Sequence, residues 1–171
     1  MNALRILSVM ALAVAASLAP VGAHAAQPDT YTAQLSAGQE VPANPSLARG
    51  AAIFQLSADG TELEYRLIVA NLENPIASHI HLAPAGLNGA VVAFLYGPGP
   101  AASGQTSGVL ATGTITADDL VGALAGQPLS ALMAEIEAGN AYVNVHTNDG
   151  EPPANTGPGD LASGEIRGQI G

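Results

Sequence analysis

Apolar side chains recur at every second residue in one short segment after another, with breaks rich in Gly, Pro and Asn between them. Period two is the repeat of a β-strand, whose side chains alternate across the sheet, so this pattern restricts the chain to a sheet-built fold. In 30–36, Tyr31, Ala33 and Leu35 share one face and Thr32, Gln34 and Ser36 the other. In 61–70, Leu63, Tyr65, Leu67 and Val69 oppose Glu62, Glu64 and Arg66. Further strands are expected at 50–57, 77–82, 90–96, 109–116, 141–147 and 164–170, with Ala58-Asp59-Gly60 as a hairpin turn and 71–75 as a second turn. Segments 84–89, 97–108 and 148–161 read as loops.

Two stretches break the period. Thr116 can cap a short helix over 117–123, with Asp118 and Asp119 in its first turn. Residues 128–138 carry Leu129, Leu132, Met133 and Ile136 on one helical stripe, closed by Gly139. Many short strands at roughly ten-residue spacing, with one or two brief helices, predict an all-β antiparallel Greek-key sandwich or barrel. No internal repeat and no linker divides the chain.

Residues 1–25 have the pattern of a cleaved secretory leader: Arg5, an apolar stretch over 6–19, Pro20 and Gly22 as breakers, and Ala23-His24-Ala25 as a small-x-small cleavage site. The apolar stretch is shorter than the roughly 20 residues that span a bilayer. The expected organisation is therefore a leader at 1–25 and one domain over 26–171, exported to the periplasm or the medium. The chain has no cysteine, so disulfides, thiolate metal sites and cysteine nucleophiles are excluded. Four arginines and no lysine stand against 14 acidic residues, a formal net charge of -10. Four arginines cannot build a basic face for nucleic acid or anionic lipid, whereas a cationic partner or a metal ion suits the charge; the partners expected are a metal ion or an envelope protein partner.

Three histidines remain after the leader: His79, His81 and His146. In His79-Ile80-His81-Leu82 both histidines face one way and Ile80 and Leu82 the other. In Tyr142-Val143-Asn144-Val145-His146, the valines oppose Tyr142, Asn144 and His146. If Ile80 and the valines point inward, all three histidines occupy the faces turned away from the core. His-x-His on a strand is a sound metal half-site, and His146 on a neighbouring strand would complete three nitrogen ligands for copper or zinc. Glu165, on the polar face of the last strand with Arg167 and Gln169, is the candidate fourth ligand or a group that orients a histidine. The same spacing also fits a polar sheet face, or histidines that bond loop carbonyls. Arg167 is expected to clamp a carboxylate or a backbone turn. Asp149, Glu151 and Asp160 lack the spacing of an EF-hand loop. Nothing resembles a nucleophile elbow, a phosphate loop or a dinucleotide fingerprint, so the expectation leans away from an enzyme.

Four motifs in order resemble the CHRD (chordin) domain family: Ala33 to Pro42 (AQLSAGQEVP), Ala77-Ser78-His79-Ile80-His81 followed by Gly89-Ala90-Val91-Val92, then Tyr142 to Thr147, and Gly164 to Ile170. The resemblance runs from Tyr31 to Ile170 and implies an extracytoplasmic β fold; it supplies no agreed activity and no catalytic residues. The cysteine-rich modules of chordin are lacking, so growth-factor binding is not transferred. The His-x-His strand is also similar to that of copper/zinc superoxide dismutase, another exported Greek-key fold. Three histidines are too few for a dinuclear site of that type, so dismutase activity is not expected. These readings together predict a non-enzymatic binding or structural module of the cell envelope carrying a three-histidine metal site. Two alternatives stay open: a metalloenzyme with an open zinc or copper position, and an extracytoplasmic protein-interaction domain using loop 97–108 or 148–161.

Overall fold

A computed structural model describes residues 29–171. The leader expected at 1–25, with its cleavage site, lies outside the described residues. Eight strands follow in chain order: β1 (Thr30–Ser36), β2 (Arg49–Leu56), β3 (Leu63–Glu73), β4 (Pro75–Leu82), β5 (Ala90–Tyr96), β6 (Gln105–Ile115), β7 (Ala141–Thr147) and β8 (Ile166–Gln169). One α-helix, α1 (Leu129–Glu137), lies between β6 and β7. All strand pairs are antiparallel, in the order β5-β4-β7-β8-β1-β2-β3-β6. Non-sequential neighbours such as β4–β7 and β3–β6 make the connections Greek-key.

The sheet curls until its edge strands β5 and β6 come near each other, giving a nearly closed barrel. Tyr65 of β3 spans that seam: its ring crosses Gly113 of β6, where an added Cβ would stand 2.7 Å from the phenol oxygen, and its hydroxyl donates to the Leu95 carbonyl of β5 at 2.7 Å. A side chain thus takes over where the backbone ladder stops, and the edges are less exposed to foreign strands. The inner faces of the strands close on Phe54, Leu63, Leu67, Ile80, Val143 and Ile166, all fully buried. Each such side chain contributes roughly 1.5–3 kcal/mol on burial. Helix α1 closes one end with the expected stripe, Leu129, Leu132, Met133 and Ile136 all buried.

Several boundaries differ from the sequence reading, each for a local reason. The turn expected at 71–75 contracts to Asn74: β3 runs on to Glu73 and β4 begins at Pro75, because Asn71 (φ 54°) and Asn74 (φ 50°) take the left-handed conformation that asparagine tolerates. The loop 97–108 ends early, since β6 starts at Gln105 to pair with Glu73. The helix expected over 117–123 is two single 3-10 turns, Ala117–Asp119 and Gly122–Leu124. Asp119 does accept from the Thr116 N–H and hydroxyl, but Gly122 at φ +59° stops propagation.

A larger difference concerns the polar face of β4, β7 and β8. Alternation there is as expected: Ile80, Val143 and Val145 are wholly buried in the barrel. The opposite side is covered too. Tyr142, Asn144, Glu165 and Arg167 are each at most 3% exposed, because connections 37–46, 83–89 and 148–164 fold over them. Beneath that cover lies a second interior, built of polar groups.

Candidate metal centre

Strands β4 and β7 pair with His79 opposite Asn144, His81 opposite Tyr142 and Ala77 opposite His146. This register sets His146 diagonal to His79 on the same face, within reach of long side chains. His79 Nδ1 lies 3.2 Å from His146 Nε2, and one ring nitrogen from each of the three histidines falls within 4.8 Å of the other two. The sequence-predicted trio is therefore brought together. Two nitrogens about 2.0–2.1 Å from one tetrahedral ion stand roughly 3.3 Å apart, which the His79–His146 pair already matches. The widest gap, at most 4.8 Å, has to close by no more than roughly 1.5 Å to reach that spacing.

The connections over the polar face fix which nitrogen each ring offers. His81 Nδ1 is 2.9 Å from the Gly89 carbonyl, and His146 Nδ1 is 3.0 Å from the Ala162 carbonyl. A carbonyl only accepts, so both Nδ1 atoms carry hydrogen and both Nε2 atoms carry the lone pair. His81 Nε2 is buried without a hydrogen-bond partner. A nitrogen acceptor left dry in this way is stabilised by whatever ion or donor reaches it. The alternative of histidines bonding loop carbonyls is thus also realised, and it orients the rings rather than competing with ligation. Such carbonyl contacts on the far ring nitrogen are what hold metal-binding histidines in one tautomer.

Electrostatics keep the rings neutral. Burial, and after it repulsion from the charged forms of His146 and His81, together lower His79 to about 4. Burial likewise lowers His81 and His146, partly offset by the carbonyls of Gly89 and Ala162. Because His146 Nε2 accepts, the 3.2 Å contact is donated by His79 Nδ1–H; three neutral imidazoles can take a metal with no net loss of protons once His79 carries its hydrogen on Nε2 instead.

Glu165 is not brought into this group. One carboxylate oxygen accepts from the Ser46 hydroxyl (2.6 Å), the other from the Thr147 hydroxyl (2.6 Å) and the Gly159 N–H (2.8 Å). Those contacts leave it tying two connections, through Ser46 and Gly159, to the end of β7 at Thr147, while His81 and His146 are oriented by backbone carbonyls. Arg167 takes the role of turn clamp, donating to the Pro84 carbonyl and Asn88 Oδ1. Its guanidinium also lies 3.4 Å over the Tyr142 ring, and Tyr142 in turn stacks on His81 with centroids 4.9 Å apart. The sequence reading placed Tyr142 on this face without a task; alternation alone could not show that it fills the space between a buried cation and His81. Phe94, 59% exposed on β5, meets His79 edge-on at 5.1 Å. Asn144 Oδ1 is a second buried atom without a partner beside the cluster.

The sequence model of the CHRD domain matches residues 31–170. The chain belongs to the CHRD domain family. No curated protein and no solved structure matches it. Among the described residues of this CHRD domain, no helix is long and apolar enough to cross a membrane.

Proposed function

We propose that this CHRD domain binds one divalent transition-metal ion, copper or zinc, through His79 Nδ1, His81 Nε2 and His146 Nε2. One observation carries the reading: three neutral imidazoles converge from two paired strands, and one of them presents a buried nitrogen with no partner. Imidazole suits both metals, and the general affinity order favours Cu(II) over Zn(II) at an all-nitrogen site. The leader pattern of residues 1–25 supports an exported binding or structural module of the cell envelope.

Calorimetric titration of purified, chelator-stripped protein with Zn(II) and Cu(II) tests the proposal. One equivalent should bind, and the His79→Ala/His81→Ala/His146→Ala variant should lose that binding while staying folded. Unchanged affinity in the triple variant removes the site.

A second reading rests on the ligand count. Three protein ligands leave a coordination position open, the arrangement of catalytic metal sites. Copper-loaded protein that oxidises ascorbate with dioxygen no faster than the triple variant plus one equivalent of copper excludes the oxidative form of that reading.

A further inference from the structure

Away from the histidines, a cavity of about 240 Å³ opens between the 3-10 turn that follows β1 and the connection after β4. Glu40, Arg167 and Gln169 line it, with the backbone of Gly38 and Gly86. Glu40 is only 7% exposed, and its Oε1 is buried without a hydrogen-bond partner. Gly164 makes room for this carboxylate: a Cβ there would stand 2.7 Å from Oε1 and 2.8 Å from Oε2. Arg167 is 1% exposed, and its charge rests on two neutral acceptors, Asn88 Oδ1 and the Pro84 carbonyl, and on the Tyr142 ring. A buried cation and a buried carboxylate each need a partner of opposite charge to offset desolvation. Both groups line the same open cavity, and neither completes the other by a direct hydrogen bond.

We infer that this cavity is a binding site for a small zwitterion of the α-amino-acid class, its ammonium on Glu40 and its carboxylate on Arg167. The charge pattern selects the class. The Glu40 carboxylate accepts and takes an N–H donor; Arg167, with five N–H donors of which the two contacts above use two, takes a carboxylate. The volume agrees, being below the roughly 300–1,000 Å³ of sites for drug-sized ligands. Gln169 does not compete for the ligand's carboxylate, because its amide donates to the carbonyls of Ala83 and Gly139.

The site is separate from the histidine cluster, so the test uses chelator-stripped protein. Amide correlation spectra are recorded during titration with L-alanine, with acetate and with methylammonium. L-Alanine should shift the amides of Gly38, Gln39, Glu40, Val41 and Gly86 saturably, and each half-ligand should bind at least tenfold more weakly. Glu40→Gln should weaken L-alanine at least tenfold with the rest of the spectrum unchanged. Should that variant fail to fold, Glu40→Asp, which keeps the charge and withdraws it by one methylene, gives the same reading. No saturable shift with L-alanine, acetate binding as tightly as L-alanine, or full affinity in the Glu40 variants overturns the inference.

Discussion

His81 presents its Nε2, without a hydrogen-bond partner, to His79 and His146, while its Nδ1 is held by Gly89 and its ring face by Tyr142. Removing it deletes one of the three proposed ligands, so His81→Ala should lower Zn(II) affinity by at least about a hundredfold, measured by competition with a chromophoric chelator. Glu165 belongs to the fold instead. Glu165→Gln should cost about 2–3 kcal/mol in urea unfolding, because an amide donor would face the Ser46 hydroxyl or the Thr147 hydroxyl and Gly159 N–H. Metal affinity of the folded variant should stay near the parent value. Glu40 gives a pH signature of opposite sign to an ordinary paired carboxylate. Burial raises it to about 7 against the attraction of Arg167. The folded state then binds more protons than the unfolded state between pH 4.5 and about 7, so this group makes stability fall as pH rises through that window. Glu40→Gln should therefore be the more stable protein at pH 8, by at most about 3 kcal/mol, with the advantage fading toward pH 4.5. Chemical denaturation of both proteins across that range checks it; the histidine contributions are common to both and cancel. An advantage that is absent, or that grows toward acid pH, contradicts the assignment.

At the level of elements, the histidine trio depends on the β4–β7 register. A slip of one residue would send the rings into the barrel and Ile80 to the other side. The parity of His79, His81 and His146 was legible in the sequence, because Ile80, Val143 and Val145 state which face is inner. The pairing of β4 with β7 was not legible, since some 60 residues separate them and alternation is silent about neighbours. The partners of Glu165 were hidden for the same reason: its face was legible, but Ser46 and Gly159 reach it through two connections and Thr147 from the end of β7. The cover over the polar face was likewise hidden, since residues 37–46, 83–89 and 148–164 carry no period that announces burial. The seam between β5 and β6 offers its own test. Tyr65→Phe removes the hydroxyl that reaches Leu95, and should cost roughly 1 kcal/mol while speeding amide exchange in β5 more than in β1 or β2. Uniform acceleration across the barrel would argue against a local bridge.

The whole molecule is a barrel with two interiors: an apolar one that supplies stability without disulfides, and a polar one outside β4, β7 and β8 that carries the histidines, Tyr142, Arg167 and Glu40. On the proposed reading a metal would bind the folded trio and not three scattered residues, so loading should stabilise the entire domain. At a free Zn(II) concentration one hundred times Kd the gain is about 2.7 kcal/mol, and the melting temperature should rise by roughly 5–10 °C and return on chelation. The central claim is that one ion takes all three imidazoles together. X-ray absorption spectroscopy of the one-to-one zinc-loaded protein tests it directly. Three imidazole nitrogens at about 2.0–2.1 Å from the zinc are expected. A shell with fewer than three imidazoles, or one made of carboxylate oxygens, would contradict it.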